Sequence, residues 1–197
     1  MMRWLIAAAM AACAVYGCSQ WTMEHRASTG PVESYPVQTD TSEAAFEFKH
    51  LQLVPRARYH VEAKLLSKER YRWGDSADLV PWDFAVGWGP MSHEDVVAKL
   101  DISQSDRFYS YHWPHQPPIE AALIVRNSAN MHLIPANSAV ASQLDRARSG
   151  YKVVLDGKLV DAVWPDGRKW STSLTREDTG RGACELMYVE SVAVSHP

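Results

Sequence analysis

Cysteine is almost missing from the body of this chain. Of three cysteines in 197 residues, Cys13 and Cys18 fall in an N-terminal apolar stretch and only Cys184 lies beyond it. One thiol cannot form an intramolecular bridge, so the fold has to rest on its hydrophobic core. An apolar run of the ~20 residues that cross a bilayer as a helix is also wanting. Charge of one sign is scarce too. Twenty basic and 23 acidic residues, well mixed, give a net charge of −3. No basic stripe points to nucleic acid or anionic lipid, so neither is expected as a partner. There is no phosphate-cradling glycine loop, no internal repeat and no complete metal-ligand spacing; no cofactor and no metal are expected. Ser128, in NSANMH, lacks the flanking glycines of a nucleophile elbow. No pair of acids stands out for the paired-carboxylate chemistry that needs a defined separation.

What is present begins with an address. Arg3 precedes an apolar run from Trp4 to Gly17 that ends at Cys18. That run has the ~7–15-residue length of an export-signal core rather than of a spanning helix. Val15-Tyr16-Gly17-Cys18 has the layout of a lipobox, in which Cys18 would be acylated, with Tyr16 bulkier than the usual residue there. Ala12-Cys13-Ala14 would suit an ordinary signal peptidase instead, and an uncleaved anchor is the third outcome. All three place the domain outside the cytoplasm, in the cell envelope. Residues 1–18 are accordingly read as a signal and 19–45 as a polar, proline-interrupted tether. Residues 46–197 are read as one domain.

Within that domain the pattern is mostly of period two. Phe46 and Phe48 alternate with charged residues, and Tyr59, Val61, Ala63 and Leu65 alternate with their neighbours, as half-buried strands do. From Arg70 to Met91 glycine and proline exclude a long helix. Ser92 is placed to cap a helix over His93–Leu100, and Asn137 one over Ser138–Arg148, with Gly150 following in a left-handed cap. Arg107–Trp113 and Met131–Ile134 read as strands, whereas Ile119–Arg126 fits helix or strand. The last third reads as a four-stranded meander: Tyr151–Leu155, Lys158–Val163, Lys169–Leu174 and Glu185–Val194. Asp156-Gly157 and Asp166-Gly167 would be its turns. The expected class is therefore α+β, a β-rich single domain with two or three short helices. A curled sheet of this kind is compatible with a small barrel of oligonucleotide/oligosaccharide-binding (OB) or SH3-like type, though closure is not written in the sequence.

The loop TREDTGRGACE, Thr175 to Glu185, concentrates Arg176, Glu177, Asp178 and Arg181 beside Gly180 and Gly182 and ends in Cys184 and Glu185. With Ser128 it forms the expected binding surface, since polar loops on a rigid sheet are where sites are commonly built. Cys184 at its end could be a nucleophile if an imidazole reached it and a third group oriented that imidazole. His132 is the candidate base, with Asn130 or Asp178 as orienter. Buried free cysteines are common, however, and an inert thiol is the simpler expectation. His112-x-x-His115 would need His132 and Cys184 as further ligands to hold zinc. Four of the eight tryptophans, Trp73, Trp82, Trp88 and Trp113, lie in the middle region and would stack on sugars if exposed, or fill the core if buried.

The strings GWGPMS (Gly87–Ser92), ISQS (Ile102–Ser105), SANMHLIPA (Ser128–Ala136), SLTR (Ser173–Arg176), DTG (Asp178–Gly180) and GACE (Gly182–Glu185) occur together here. In that combination the chain, from about Phe46 to Glu190, resembles a family of uncharacterised bacterial proteins with one N-terminal hydrophobic segment ahead of an extracytoplasmic domain. The resemblance implies a location and a coherent domain, and it carries no activity or site. The residues alone favour a non-enzymatic module, tethered to the membrane by an N-terminal lipid or anchor, that binds an envelope protein or cell-wall component. A Cys184/His132 thiol enzyme and a tryptophan-based glycan binder are the alternatives.

Overall fold

The computed structural model describes residues 30–74, 76–176, 178, 180 and 182–195. The export segment and Cys18 lie outside the described residues, as does Arg181. Ten strands are described: β1 (Val37–Asp40), β2 (Phe46–Phe48), β3 (Leu51–Arg70), β4 (Trp82–Gly87), β5 (Asp101–Ser105), β6 (Phe108–His112), β7 (Ser128–Pro135), β8 (Lys152–Val163), β9 (Lys169–Trp170) and β10 (Glu185–Ser195). The helices are α1 (Glu94–Val97), α2 (Ala121–Arg126) and α3 (Ser138–Arg146), with a 3₁₀ turn at Gly89–Ser92. No helix among the described residues is long and apolar enough to cross a membrane.

Five strands close on themselves in the order β3-β4-β7-β10-β8-β3, every neighbouring pair antiparallel except β7 with β10. Numbered in chain order, the ring strands run first, second, third, fifth, fourth, with a helix between the third and fourth. That is the strand order of the OB barrel, one of the two closures open to the sequence. The spine is β3, whose Ala57, Tyr59, Val61, Ala63 and Leu65 point into the main core while Arg56, Arg58 and His60 face solvent. Its two-residue period is what lets one 20-residue strand serve both the barrel and its edges. A register shift between Pro55 and Ala57 marks the proline, which cannot donate to the ladder.

Several local expectations need correction. The tether does not extend to residue 45, because β1 pairs with β3 from Val37↔His60 to Asp40↔Ala57 and Val32 is buried. Val32 is held by Ser92, whose hydroxyl accepts from its N–H at 2.8 Å and donates to the Gly89 carbonyl at 2.7 Å. Ser92 is thus spent on that clasp, and the short helix α1 starts one residue later with no side-chain cap. Asn137 caps α3 as expected, its Oδ1 accepting from Ala139 and Val140. The helix ends at Arg146, however, and the left-handed Gly150 (φ 89°) serves the turn into β8.

The C-terminal third has three strands, not four, because no turn occurs at Asp156-Gly157, and they do not form a meander, since β8 lies between β9 and β10. Gly157 lies inside β8, where β10 slips register between Val189 and Ser191. A Cβ at Gly157 would stand 2.0 Å from the Tyr188 carbonyl oxygen, so the residue is there for close approach of backbones rather than for a positive φ. Gly157→Ala is expected to cost about 2–3 kcal/mol in urea unfolding. A loss below about 0.5 kcal/mol would show that the crossing is not tight. Asp166-Gly167 does turn the chain (Gly167 φ 85°) into the two-residue β9.

Candidate catalytic site

The site lies on the outer face of the second and third barrel strands. Trp82, Phe84 and Val86 of β4 and Ala129, Met131 and Leu133 of β7 fill the core. The alternate residues therefore face outward, and Asp83 stands directly across from His132, Ala85 across from Asn130. An outward face is ordinarily wet. Here it is covered by the β5–β6 hairpin and by the segment between β9 and β10, so Asp83 is fully buried and His132 only 3 % exposed.

The polar side chains under this cover are linked to one another, although Asp83 Oδ2 has no partner. His132 Nδ1 is 2.9 Å from Asp83 Oδ1, and Arg107 Nη1 donates to the same oxygen at 2.8 Å. Arg107 also donates from Nη2 to Ser76 Oγ at 3.1 Å and lays its guanidinium 3.6 Å from the centre of the Tyr71 ring. The Trp170 ring meets the His132 ring edge-on at 4.9 Å. Arg107 reaches this position from a two-residue turn in which Asp106 (φ 50°) and Arg107 (φ 70°) are both left-handed. Type I′ geometry favours glycine or asparagine, so these two residues hold a costly conformation that aims the guanidinium.

With Nδ1 committed to Asp83, Nε2 is the nitrogen left to interact with Cys184, which lies near enough to act on the imidazole. Burial alone would pull the imidazolium down. The hydrogen bond and charge of Asp83, joined by the nearness of Cys184, outweigh it and raise His132 to about 9. Asn130 Nδ2 also reaches the sulfur, at 3.7 Å. Cys184 is half-buried on the wall of a cleft of about 360 Å³ lined also by Phe108, Tyr109, Tyr111, Val125 and Ala129. The thiol is therefore open to a ligand while His132 and Asp83 are shielded from water.

Hydrogen bonds hold the segment that carries Cys184. The Cys184 carbonyl accepts from Ser173 N at 3.1 Å, and Ser173 Oγ donates to Asp178 at 2.6 Å. Thr172 N donates to the buried Asp161 at 3.0 Å, and Thr172 Oγ1 accepts from Leu186 N at 3.0 Å. Arg176 forms an ion pair with the fully buried Glu185.

Cys184 and His132 are thus brought together as expected, but the partner of His132 Nδ1 is Asp83, not Asn130 or Asp178. Asp178 serves Ser173, and Asn130 contacts the sulfur. The binding surface expected along Thr175–Glu185 is also reduced. Glu185 is inside, with Arg176 as its partner, and Ser128 is buried against the Ile124 carbonyl at 2.8 Å. Trp82 and Trp88 are core residues, so the four central indoles do not share an exposed face for sugars, and Trp73 alone is largely exposed. His112 and His115 do not join His132 and Cys184, and among the described residues no group of three or more His, Cys, Asp or Glu side chains is arranged to hold a metal. Asp83 and Arg107 escaped the sequence reading. The available signal was the alternation W-D-F-A-V beside A-N-M-H-L, which puts one acid and one histidine at equivalent outward positions. Comparison with protein-family models, with curated proteins and with solved structures found no match.

Proposed function

We propose that this domain is a thiol-dependent acyl hydrolase or transferase of the cell envelope, with Cys184 as nucleophile, His132 as base and Asp83 as the group that orients and balances His132. The carrying observation is that Cys184, on the open cleft, lies close enough to His132 to raise its pKa, while His132 Nδ1 is 2.9 Å from the buried Asp83. This is the arrangement by which a weak nucleophile is activated. Attack by Cys184 Sγ, with its proton carried on His132 Nε2, forms a bond to the substrate's carbonyl carbon. Collapse breaks the bond to the leaving group, which takes that proton. Water, or an amine or alcohol in a transferase, then displaces the acyl group from sulfur, with His132 accepting a proton and returning one to Cys184. The position of the site agrees by analogy with the fold, since OB barrels hold ligands on strands two and three and on the loops that flank them. The envelope location is carried by the leader described above.

Iodoacetamide labelling followed by intact mass tests both parts. At pH 6 Cys184 is expected to react on the order of ten-fold faster than a free cysteine, and His132→Ala to remove that advantage. Equal rates in both proteins would leave an inert thiol and return the domain to a non-enzymatic binding role. The same spectrum, taken on membrane-extracted protein, reads the N-terminus. A missing leader or a lipid on Cys18 supports export, and an intact, unlipidated chain in the cytosol removes the envelope part.

A further inference from the structure

We infer that Asn130 supplies the hydrogen bond that stabilises the oxyanion during acyl transfer, and that the cleft beside it takes the acyl group of an ester or thioester with an apolar chain. The inference rests on the thiol acyl-transfer reading of the same site.

The orientation of the Asn130 amide follows from its surroundings. The Arg107 carbonyl, 2.9 Å away, can only accept, so the atom facing it has to be Nδ2. Oδ1 then faces Gln104, which must donate from Nε2, at 2.7 Å. One hydrogen of Nδ2 is held by Arg107, and the other is left for the space beside the sulfur, which lies 3.7 Å away. When Sγ bonds to a carbonyl carbon, the electron pair of the C=O bond moves to its oxygen, one bond from the carbon attached to sulfur. A donor fixed beside Sγ is positioned for that charge, and because Gln104 and Arg107 hold it in place it does not have to reorganise. Asn130 is 5 % exposed, so its dipole acts with little competition from water. Gln104 acts through Asn130, to which it donates, and is a positioning residue. On the acyl side, Phe108, Tyr109, Tyr111, Val125 and Ala129 give the cleft apolar and aromatic walls suited to a hydrocarbon chain.

Two reactions of the same thiol separate this role from a merely structural one. Alkylation by iodoacetamide passes through no oxyanion and reads only the Cys184–His132 pair. Acylation by p-nitrophenyl butyrate, followed as nitrophenolate release and as acyl-enzyme mass, reads the pair and the oxyanion donor together. In Asn130→Ala acylation is expected to fall by about 10²–10³-fold. Alkylation should stay within about three-fold, and Gln104→Ala should show a smaller loss with the same selectivity. If both reactions fall together in both variants, Asn130 only shapes the site and the inference is overturned. Acylation that survives in both variants overturns it too, while leaving the thiol enzyme standing. If the wild-type chain itself forms no acyl-enzyme, the thiol acyl-transfer reading fails first and takes the Asn130 role with it.

Discussion

Asp83→Asn is expected to slow acylation of Cys184 on the order of 10³-fold while leaving the fold in place. The substitution keeps shape and most contacts. An asparagine oxygen can still accept from His132 Nδ1 and from Arg107 Nη1, because both bonds end on the same carboxylate oxygen, and Oδ2 has no partner to lose. What disappears is the negative charge. Two potential cations, the imidazolium and the guanidinium, then face a neutral amide in a buried site, and protonating His132 beside Arg107 becomes unfavourable. His132 should titrate below neutrality in the variant, visible as a shift of its imidazole NMR signals. Removing the second cation should reverse part of the loss, so Asp83→Asn with Arg107→Met is expected to recover about ten-fold. A single variant that acylates within about three-fold of wild type would mean that Asp83 is a structural partner of Arg107 and takes no part in activating the thiol.

Why the sequence revealed half of this site is a matter of distance along the chain. His132 and Cys184 could be nominated because their residue types are uncommon in a body with one cysteine. Their neighbours are ordinary residues made special by the sheet. Asp83 reads as one more acid in an aromatic stretch until β4 pairs with β7 and sets it opposite His132. Arg107 belongs to a hairpin inserted between those strands, and it acquires a role only when the hairpin folds back over their outer face. Period two gave most strands, since alternation is local. It could not give ring closure, because the β3–β8 and β7–β10 pairings join segments far apart in sequence. Gly157 shows the limit plainly. An Asp-Gly pair between hydrophobic runs is a strong local turn signal. Here the glycine is required by a third strand, β10, crossing at contact distance.

The second large effect concerns stability against pH. His132 is raised from its ordinary 6.5 to about 9 in the folded protein. A group that binds its proton more tightly when folded stabilises the fold fully below its unfolded pKa, and that contribution is lost as pH rises through the folded value. A shift of this size corresponds to about 3 kcal/mol, present at pH 6 and gone by about pH 10. Other shifted groups act mostly elsewhere. The lowered carboxyl of Asp161 loses its contribution only as pH falls below the ordinary carboxylate range, and Tyr109, raised by burial to about 12, acts on the alkaline side of 10. Comparing wild type with His132→Gln cancels contributions common to both proteins. In urea unfolding the stability difference should shrink by about 3 kcal/mol between pH 6 and 10, most steeply near pH 9. A difference that stays flat across that interval would show that the imidazole holds no extra proton, and with it would go the charge balance from which Asp83 and Cys184 derive their roles.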